Sequence, residues 1–420
     1  MKKQYFLNAF FLIFLALLLI KFFKLTLTFP LIFFGIAILF ISRGFNKIIP
    51  KFLSIVFENI GIVFLLLGSI FSLFNSIELV KKKSEFPEIS QSGSYQIAGN
   101  FKKNNSEILG YRYKDNIRRL TSRKIRKYKS KQTIIYDVIY NIDERNNRFT
   151  PNLNKSINKE KAILFLGGSY TFGEGLNDNE TLSFFLQDLT GLASINAGLH
   201  GYGAHQALQI LDNEKLFNKK TSSYSVKTII YRAIPAHIAR TSGKSSWDIY
   251  GPCYQLDSKN NIVFKGSFVD CKVKTTNVLK RIIYKIANTS EPFTKTIFSK
   301  IKSSLSNPST SNDAEYKTFI EVIKKMNLIA FKKNINFIVL FEDFDLNRSA
   351  CETKQGISRK VINDLQLNNI KIIPTSKIFT SKTCINYPLS IEFDGHPSKE
   401  ANLLIAEYLS QIINIKNYSQ

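Results

Sequence analysis

Apolar residues follow two different patterns along this chain. Within the first eighty positions they form nearly continuous runs, at residues 5–20, 25–42 and 52–80. A bilayer core takes about 20 apolar residues as one helix, so three membrane spans are expected, the first two extended over their flanks. Beyond residue 83 the apolar stretches become short and periodic. Residues 161–166 (KAILFL) read as a buried strand that runs into Gly167-Gly168. Helical spacing at 181–189, a brief strand at 194–196 and a helix at 204–216 follow. Next come a strand at 226–233, an amphipathic helix at 314–333, and strands at 335–341 and 370–374. A helix at 397–413 closes the chain, with Pro397 in its first turn. Strands alternating with helices predict an α/β domain, a parallel sheet covered on both faces by helices.

Three parts are therefore expected: a membrane anchor at 1–83, a partly β connector at 84–158, and the α/β domain at 159–420. The connector is rich in Lys, Arg, Asn, Ser and Tyr, and 132–141 (QTIIYDVIYN) has the β-branched and aromatic content of a strand. Residues 241–311 break the alternation and read as an insertion that carries the single tryptophan, Trp247. A cleaved leader also begins with a basic residue pair and an apolar centre. Here the centre runs into Lys21-Phe22-Phe23-Lys24, which offers no small-residue cleavage site, so an uncleaved anchor is expected.

Lysines and arginines around the three runs are nearly balanced and leave the orientation open. The cysteines bear on it. All four lie in the soluble part and none has CxxC spacing, which speaks against a zinc site or a thioredoxin-like motif. Two local pairs are compatible with the spacing, Cys253 with Cys271 and Cys351 with Cys384. Four buried free thiols are the alternative. Disulfides persist outside the cytoplasm, so pairing favours an external C-terminal domain.

The formal charge of +26 invites a nucleic-acid reading. The basic residues are spread along the chain, and the one dense cluster, from Arg118 to Lys131, has few interleaved aromatics and fits no nucleic-acid module. Beside a membrane, an anionic lipid head group or an acidic glycan is the better partner; a solvated basic loop is the plain alternative.

The chemistry centres on Gly167-Gly168-Ser169. Ligands bind beyond the carboxyl ends of strands in open parallel sheets, and this turn falls at such an end. The glycines let the backbone turn sharply and leave Ser169 exposed, with a helix start aiming N–H groups at developing negative charge. By itself the turn reads more readily as a tight turn with a helix-capping serine. Near the other end of the chain stands Phe393-Asp394-Gly395-His396-Pro397-Ser398. A serine nucleophile needs a base and the base an orienting acid, and Asp394 and His396 can reach one site from one loop.

In this order and spacing the motifs resemble the SGNH (GDSL-type) hydrolases. Gly167-Gly168-Ser169-Tyr170-Thr171-Phe172-Gly173-Glu174-Gly175 is similar to their first block. Asn196-Ala197-Gly198-Leu199-His200-Gly201-Tyr202-Gly203 is similar to the second, and Asp394-Gly395-His396-Pro397-Ser398 to the last. The likeness covers about residues 160–415. Leu109-Gly110-Tyr111-Arg112 and Ile135-Tyr136-Asp137-Val138-Ile139-Tyr140 also resemble segments of bacterial membrane-anchored members. The resemblance implies a three-layer α/β/α domain without a cofactor or metal. Ser169 would be the nucleophile, His396 the base and Asp394 its orienting acid. Backbone N–H groups of Ser169 and Gly198 would form the oxyanion hole.

Two positions depart from the family's pattern. Gly168 stands where the family has Asp. The third block, which normally brings an Asn side chain to the oxyanion, reads Ile234-Pro235-Ala236-His237-Ile238-Ala239-Arg240 and has no Gly-x-Asn-Asp. His237 is the candidate to line the site there. Arg240, and less directly Arg232, are candidates for binding an acidic group, a solvated salt bridge being the alternative. His200 is expected near the site mouth, His205 on a helix surface, Glu342 and Asp343 at a solvated loop tip, and Asn402 packed in the last helix. The implied activity is hydrolysis of an ester of a cell-envelope glycan or lipid. Acyl transfer to an envelope polysaccharide and an inactive glycan-binding module are the alternatives. The implied place is the bacterial inner membrane, crossed several times, with the C-terminal domain periplasmic or extracellular.

Overall fold

The computed structural model describes residues 157–245, 247–273, 311–347 and 350–417, most of 108–152, and the strand pieces Glu88–Gly93 and Ile97–Ala98, with a few helical residues between 36 and 69. The three apolar runs lie mostly outside the described residues. Among the described residues no helix is long and apolar enough to cross a membrane.

The α/β part is built on five parallel strands: β1 (Asn158–Gly167), β2 (Leu192–Asn196), β3 (Val226–Ala233), β4 (Asn336–Phe341) and β5 (Ile372–Pro374), in the order β5-β4-β3-β1-β2. A strand turns alternate side chains to opposite faces, and β1 shows the result. Leu164 and Leu166 enter one core with Tyr231, Val339 and Phe341, whereas Ile163 and Phe165 enter the other with Ile230 and Leu340. Both faces are therefore apolar, which is why these strands read as continuous hydrophobic runs and need helices on each side.

One face is covered by α2 (Ala204–Asp212), α4 (Ser311–Lys332) and α5 (Ile357–Leu367), the other by α1 (Leu182–Thr190) and α6 (Lys399–Asn417). The expected helix at 204–216 is two helices, α2 and α3 (Glu214–Thr221). Asn213 ends the first, and its side chain accepts from the Leu216 N–H to cap the second. Pro397 is not in the first turn of α6. It forms a bridge with Ser390, and the Ser398 hydroxyl accepts from the Ala401 N–H at 3.1 Å to start the helix.

The dense basic cluster is not a loop. Residues Leu120–Tyr128 form a strand in a three-stranded sheet, between Glu88–Gly93 and Lys131–Tyr140. Tyr111, Tyr113, Tyr136 and Tyr140 from this region are buried in the same core as Leu164 and Phe172. The described part of 241–311 contains an antiparallel hairpin, Pro252–Leu256 with Ile262–Ser267, and the helix Phe268–Val273. A Cys253–Cys271 disulfide ties hairpin to helix, and Cys351 pairs with Cys384.

Candidate active site

Because the strands are parallel, their carboxyl ends share one edge. From β1 the chain crosses to β2 on one side and later to β3 on the other, so this edge carries a topological switch point at β1. Ser169 follows β1, the 197–203 loop follows β2, and His237 and Arg240 follow β3. Gly167 makes the exit from β1 possible. Its φ is +148°, and a Cβ there would stand 2.7 Å from the Arg232 carbonyl oxygen. Ser169 then opens a single helical turn, Ser169–Phe172, in which the Gly168 carbonyl accepts from the Thr171 and Phe172 N–H groups.

His396 Nε2 lies 2.8 Å from Ser169 Oγ. On its other side the ring Nδ1 is hydrogen-bonded to Asp394 Oδ1, which also accepts from the His396 backbone N–H at 3.2 Å. The loop that carries both is closed on itself: the His396 carbonyl accepts from the Ile391 N–H at 2.8 Å, and the Ile391 carbonyl accepts from Asp394 and Gly395. Tyr170, next to Ser169, secures it from the other side by donating its hydroxyl to the Gly395 carbonyl at 3.0 Å. The three residues expected to act together are thus brought together, from positions more than two hundred residues apart.

Burial works against the charge on Asp394, but hydrogen bonding and charge from His396, then from Lys124, hold its carboxyl below the usual value. Lys124 comes from the basic strand and contacts Asp394 Oδ2. Nothing in the chain's pattern pointed to this partner. A lysine in a charge-rich strand looks like its neighbours until the fold sets it against the acid.

A second carboxylate was also missed. Glu174 Oε2 is 2.7 Å from His200 Nδ1 and 3.4 Å from His396 Nε2. Burial again opposes its charge, and His200, His396 and Lys124 outweigh it, holding the carboxyl down at about 2.

The oxyanion donors differ in part from expectation. Among the described residues no acceptor takes the Ser169 N–H, so it is available. The Gly198 N–H instead donates to Asn196 Oδ1 at 3.1 Å, and that Asn side chain also donates to the Thr171 carbonyl at 2.8 Å. Gly198 is thereby a brace between its loop and the Ser169–Phe172 turn. Gly201, three residues on, has no acceptor for its N–H among the described residues. Its loop neighbour Tyr202 places its carbonyl oxygen 3.0 Å from where a Gly168 Cβ would stand.

His237 and Arg240 both flank the Gly167-Gly168-Ser169 turn. A Cβ on Gly168 would lie 3.0 Å from His237 Nε2 and 3.2 Å from Arg240 Nη1. These two side chains occupy the room that an Asp at position 168 would need. His237 is buried, its Nδ1 shares a 2.7 Å hydrogen bond with the Tyr231 hydroxyl, and its Nε2 has no partner among the described residues. Burial first, then Arg240 and His205, push the ring well below its ordinary pKa, so it is neutral. Arg240 donates to the Tyr202 carbonyl at 3.1 Å and stands 5.8 Å from the ring of Trp247.

Four other expectations change. Arg232 is fully buried and binds no solvent-borne acid: Nε donates to Glu342 at 2.6 Å and Nη1 to Asn402 at 2.8 Å and to the Tyr170 carbonyl at 3.0 Å. Glu342 is therefore buried as its partner, and Asn402 does more than fill space in α6. Asp343 is buried too, accepting from Thr375 and Ser376. His205 faces inward, 2.7 Å from the buried Asp248. Among the described residues no group of His, Cys, Asp or Glu is arranged to hold a metal ion.

No family model and no curated protein matches this chain. Several solved structures are similar to it. A lipolytic protein of the G-D-S-L family from Desulfitobacterium hafniense is 14% identical, covers 60% of this chain and 99% of its own, and gives a TM-score of 0.33. A GDSL-like lipase from Bacteroides thetaiotaomicron is 13% identical, over 63% of this chain and 93% of its own, at a TM-score of 0.32. A carbohydrate esterase family 2 enzyme with a carbohydrate binding domain, from Corynascus thermopiles, is 10% identical over 78% of this chain and 87% of its own, at 0.31.

Proposed function

We propose that this chain is a serine esterase of the SGNH type, working through an acyl-enzyme on an acyl or acetyl ester of an envelope glycan or lipid. The observation that carries the reading is the continuous line Ser169 Oγ, His396 Nε2, His396 Nδ1, Asp394 Oδ1, with 2.8 Å at the nucleophile end. A serine hydroxyl is a weak nucleophile at its own pKa and needs such a base.

In this reading Ser169 Oγ attacks the ester carbonyl while its proton passes to His396 Nε2. Asp394 keeps the ring turned and stabilises the imidazolium without taking the proton. The N–H of Ser169, at the start of its helical turn, receives the oxyanion. His396 then gives the proton to the departing alcohol, and a water, deprotonated by the same nitrogen, releases the acid. Losing one oxyanion donor typically costs about 2.7–4 kcal/mol in the transition state. His237 and Arg240, packed against Gly168, are the residues available to make up for the absent Asn.

The N-terminal apolar runs support a membrane anchor, and the two disulfides support an external face for the domain. A fluorophosphonate probe applied to the full chain tests the chemistry. It should modify Ser169, and modification that continues unchanged in Ser169→Ala would sink the assignment. Adding a glycan to the assay and finding acetyl transferred to it, beyond hydrolysis, would turn the reading toward acyl transfer.

A further inference from the structure

Asp394 is not the only carboxylate on the base. Glu174 Oε2 reaches His396 Nε2 at 3.4 Å, on the side of the ring that also faces Ser169. The backbone fixes this placement. The Glu174 N–H donates to the Ser169 carbonyl at 3.1 Å, and the next N–H, of Gly175, donates to the buried Tyr140 hydroxyl at 2.9 Å. The side chain is fixed as well. His200 Nδ1 holds Oε2 at 2.7 Å, and the His200 ring lies 4.1 Å from the Phe172 ring and 6.0 Å from those of Tyr113 and Tyr140. An aromatic box thus orients a histidine, which orients a carboxylate, which faces the base.

We propose that Glu174 is a positioning residue for the reaction proposed above, a second carboxylate that holds the imidazolium formed on His396 when Ser169 gives up its proton. The charges around His396 show why one acid is not sufficient. Asp394 faces Nδ1, but its other oxygen is bound by the Lys124 ammonium, which offsets the field of the carboxylate at the ring. Glu174 faces Nε2 and brings a second negative charge to the ring from its other side. The remaining neighbours are Ser169, uncharged, the Tyr170 ring at 5.2 Å, and His200 behind Glu174. The low pKa of Glu174 agrees with this, because a carboxylate charged throughout the working range is what the role requires.

The inference rests on the serine-esterase reading, and the test separates the two. Full-length protein is labelled only in its four histidines, and the His396 ring is followed by NMR against pH, assigned with His396→Gln. Glu174→Gln keeps the size of the side chain and removes the charge. An opposite charge at this distance typically moves a titration by about 1 to 3 pH units, so His396 should titrate about 1 pH unit lower in Glu174→Gln than in the parent. The acidic limb of fluorophosphonate labelling should move down with it. Glu174→Asp, which keeps the charge but withdraws it by one methylene, should fall between. A His396 titration unchanged or raised in both variants overturns the inference. If His396 titrates lower in Glu174→Gln than in the parent, but the parent is not labelled at Ser169, the esterase reading is overturned instead.

Discussion

Lys124 and His396 bind opposite oxygens of one carboxylate: the ammonium holds Asp394 Oδ2, and the ring Nδ1 holds Oδ1. The basic strand Leu120–Tyr128 is thereby part of the framework around the candidate site. Its Arg126 also stands 4.1 Å from the exposed Phe393 ring, beside the acid.

Removing Lys124 should make the protein less resistant to acid. The Asp394 carboxyl is depressed in the folded chain. Its stabilisation is therefore fully present above the unfolded value of about 3.9 and is lost as pH falls through the folded value. In Lys124→Met the folded value rises, this stabilisation shrinks, and the midpoint of acid unfolding followed by circular dichroism moves to higher pH. An unchanged midpoint would mean that the ion pair is of no energetic consequence.

Gly168 should not tolerate a side chain. Its φ of −92° lies outside the left-handed region, and the obstacle is the space around it. A new Cβ would press on His237 Nε2 and the Tyr202 carbonyl, both at 3.0 Å. Forced overpacking costs about 1–3 kcal/mol, and a turn displaced by part of an ångström loses aligned attack. Gly168→Ala should therefore lower the rate of Ser169 labelling by at least roughly 10-fold. Adding His237→Ala should recover part of that loss. Full reactivity in Gly168→Ala alone would refute the packing argument.

Arg232→Met should be among the most destabilising single changes in the domain. It leaves Glu342 as a buried carboxylate without its partner, and breaking one side of a buried pair typically costs about 3–5 kcal/mol. Urea unfolding measures it. The double variant Arg232→Met with Glu342→Gln should be more stable than Arg232→Met, since the stranded charge is gone.

The disulfides are readable by peptide mapping without reduction, which should return Cys253 with Cys271 and Cys351 with Cys384. Replacing the first pair by serines should lower stability by about 3 kcal/mol, the loop-closure value for a separation of 18 residues. Cross-pairing in the map would contradict the fold of the inserted segment.

Much of this was decided locally and could be read from the chain. Largely apolar runs before Gly167 and at 226–233 and 335–341 mark strands buried on both faces, because a parallel sheet covered by helices on each side buries both rows of side chains. Gly167-Gly168-Ser169 marks a sharp strand exit, and Asp394-Gly395-His396 is short enough to place acid and base in one loop. Each of these depends on residues close in sequence, and motif order was sufficient to propose the line from Ser169 to Asp394.

Tertiary structure alone decided which polar groups meet. His205, Arg232, Glu342 and Asp343 look like surface residues in a one-dimensional pattern, since charged groups are buried only where a partner waits. Their partners Asp248, Asn402 and Ser376 lie tens to hundreds of residues away. The Gly198 N–H was an open donor in sequence and is a satisfied brace in the fold, because the nearby Asn196 side chain turns back to accept from it. Lys124 and Glu174 were a basic residue in a basic run and one letter of a motif. Folding places one on Asp394 and the other on His396, since charge acts through space and across a few ångströms, whatever the distance along the chain.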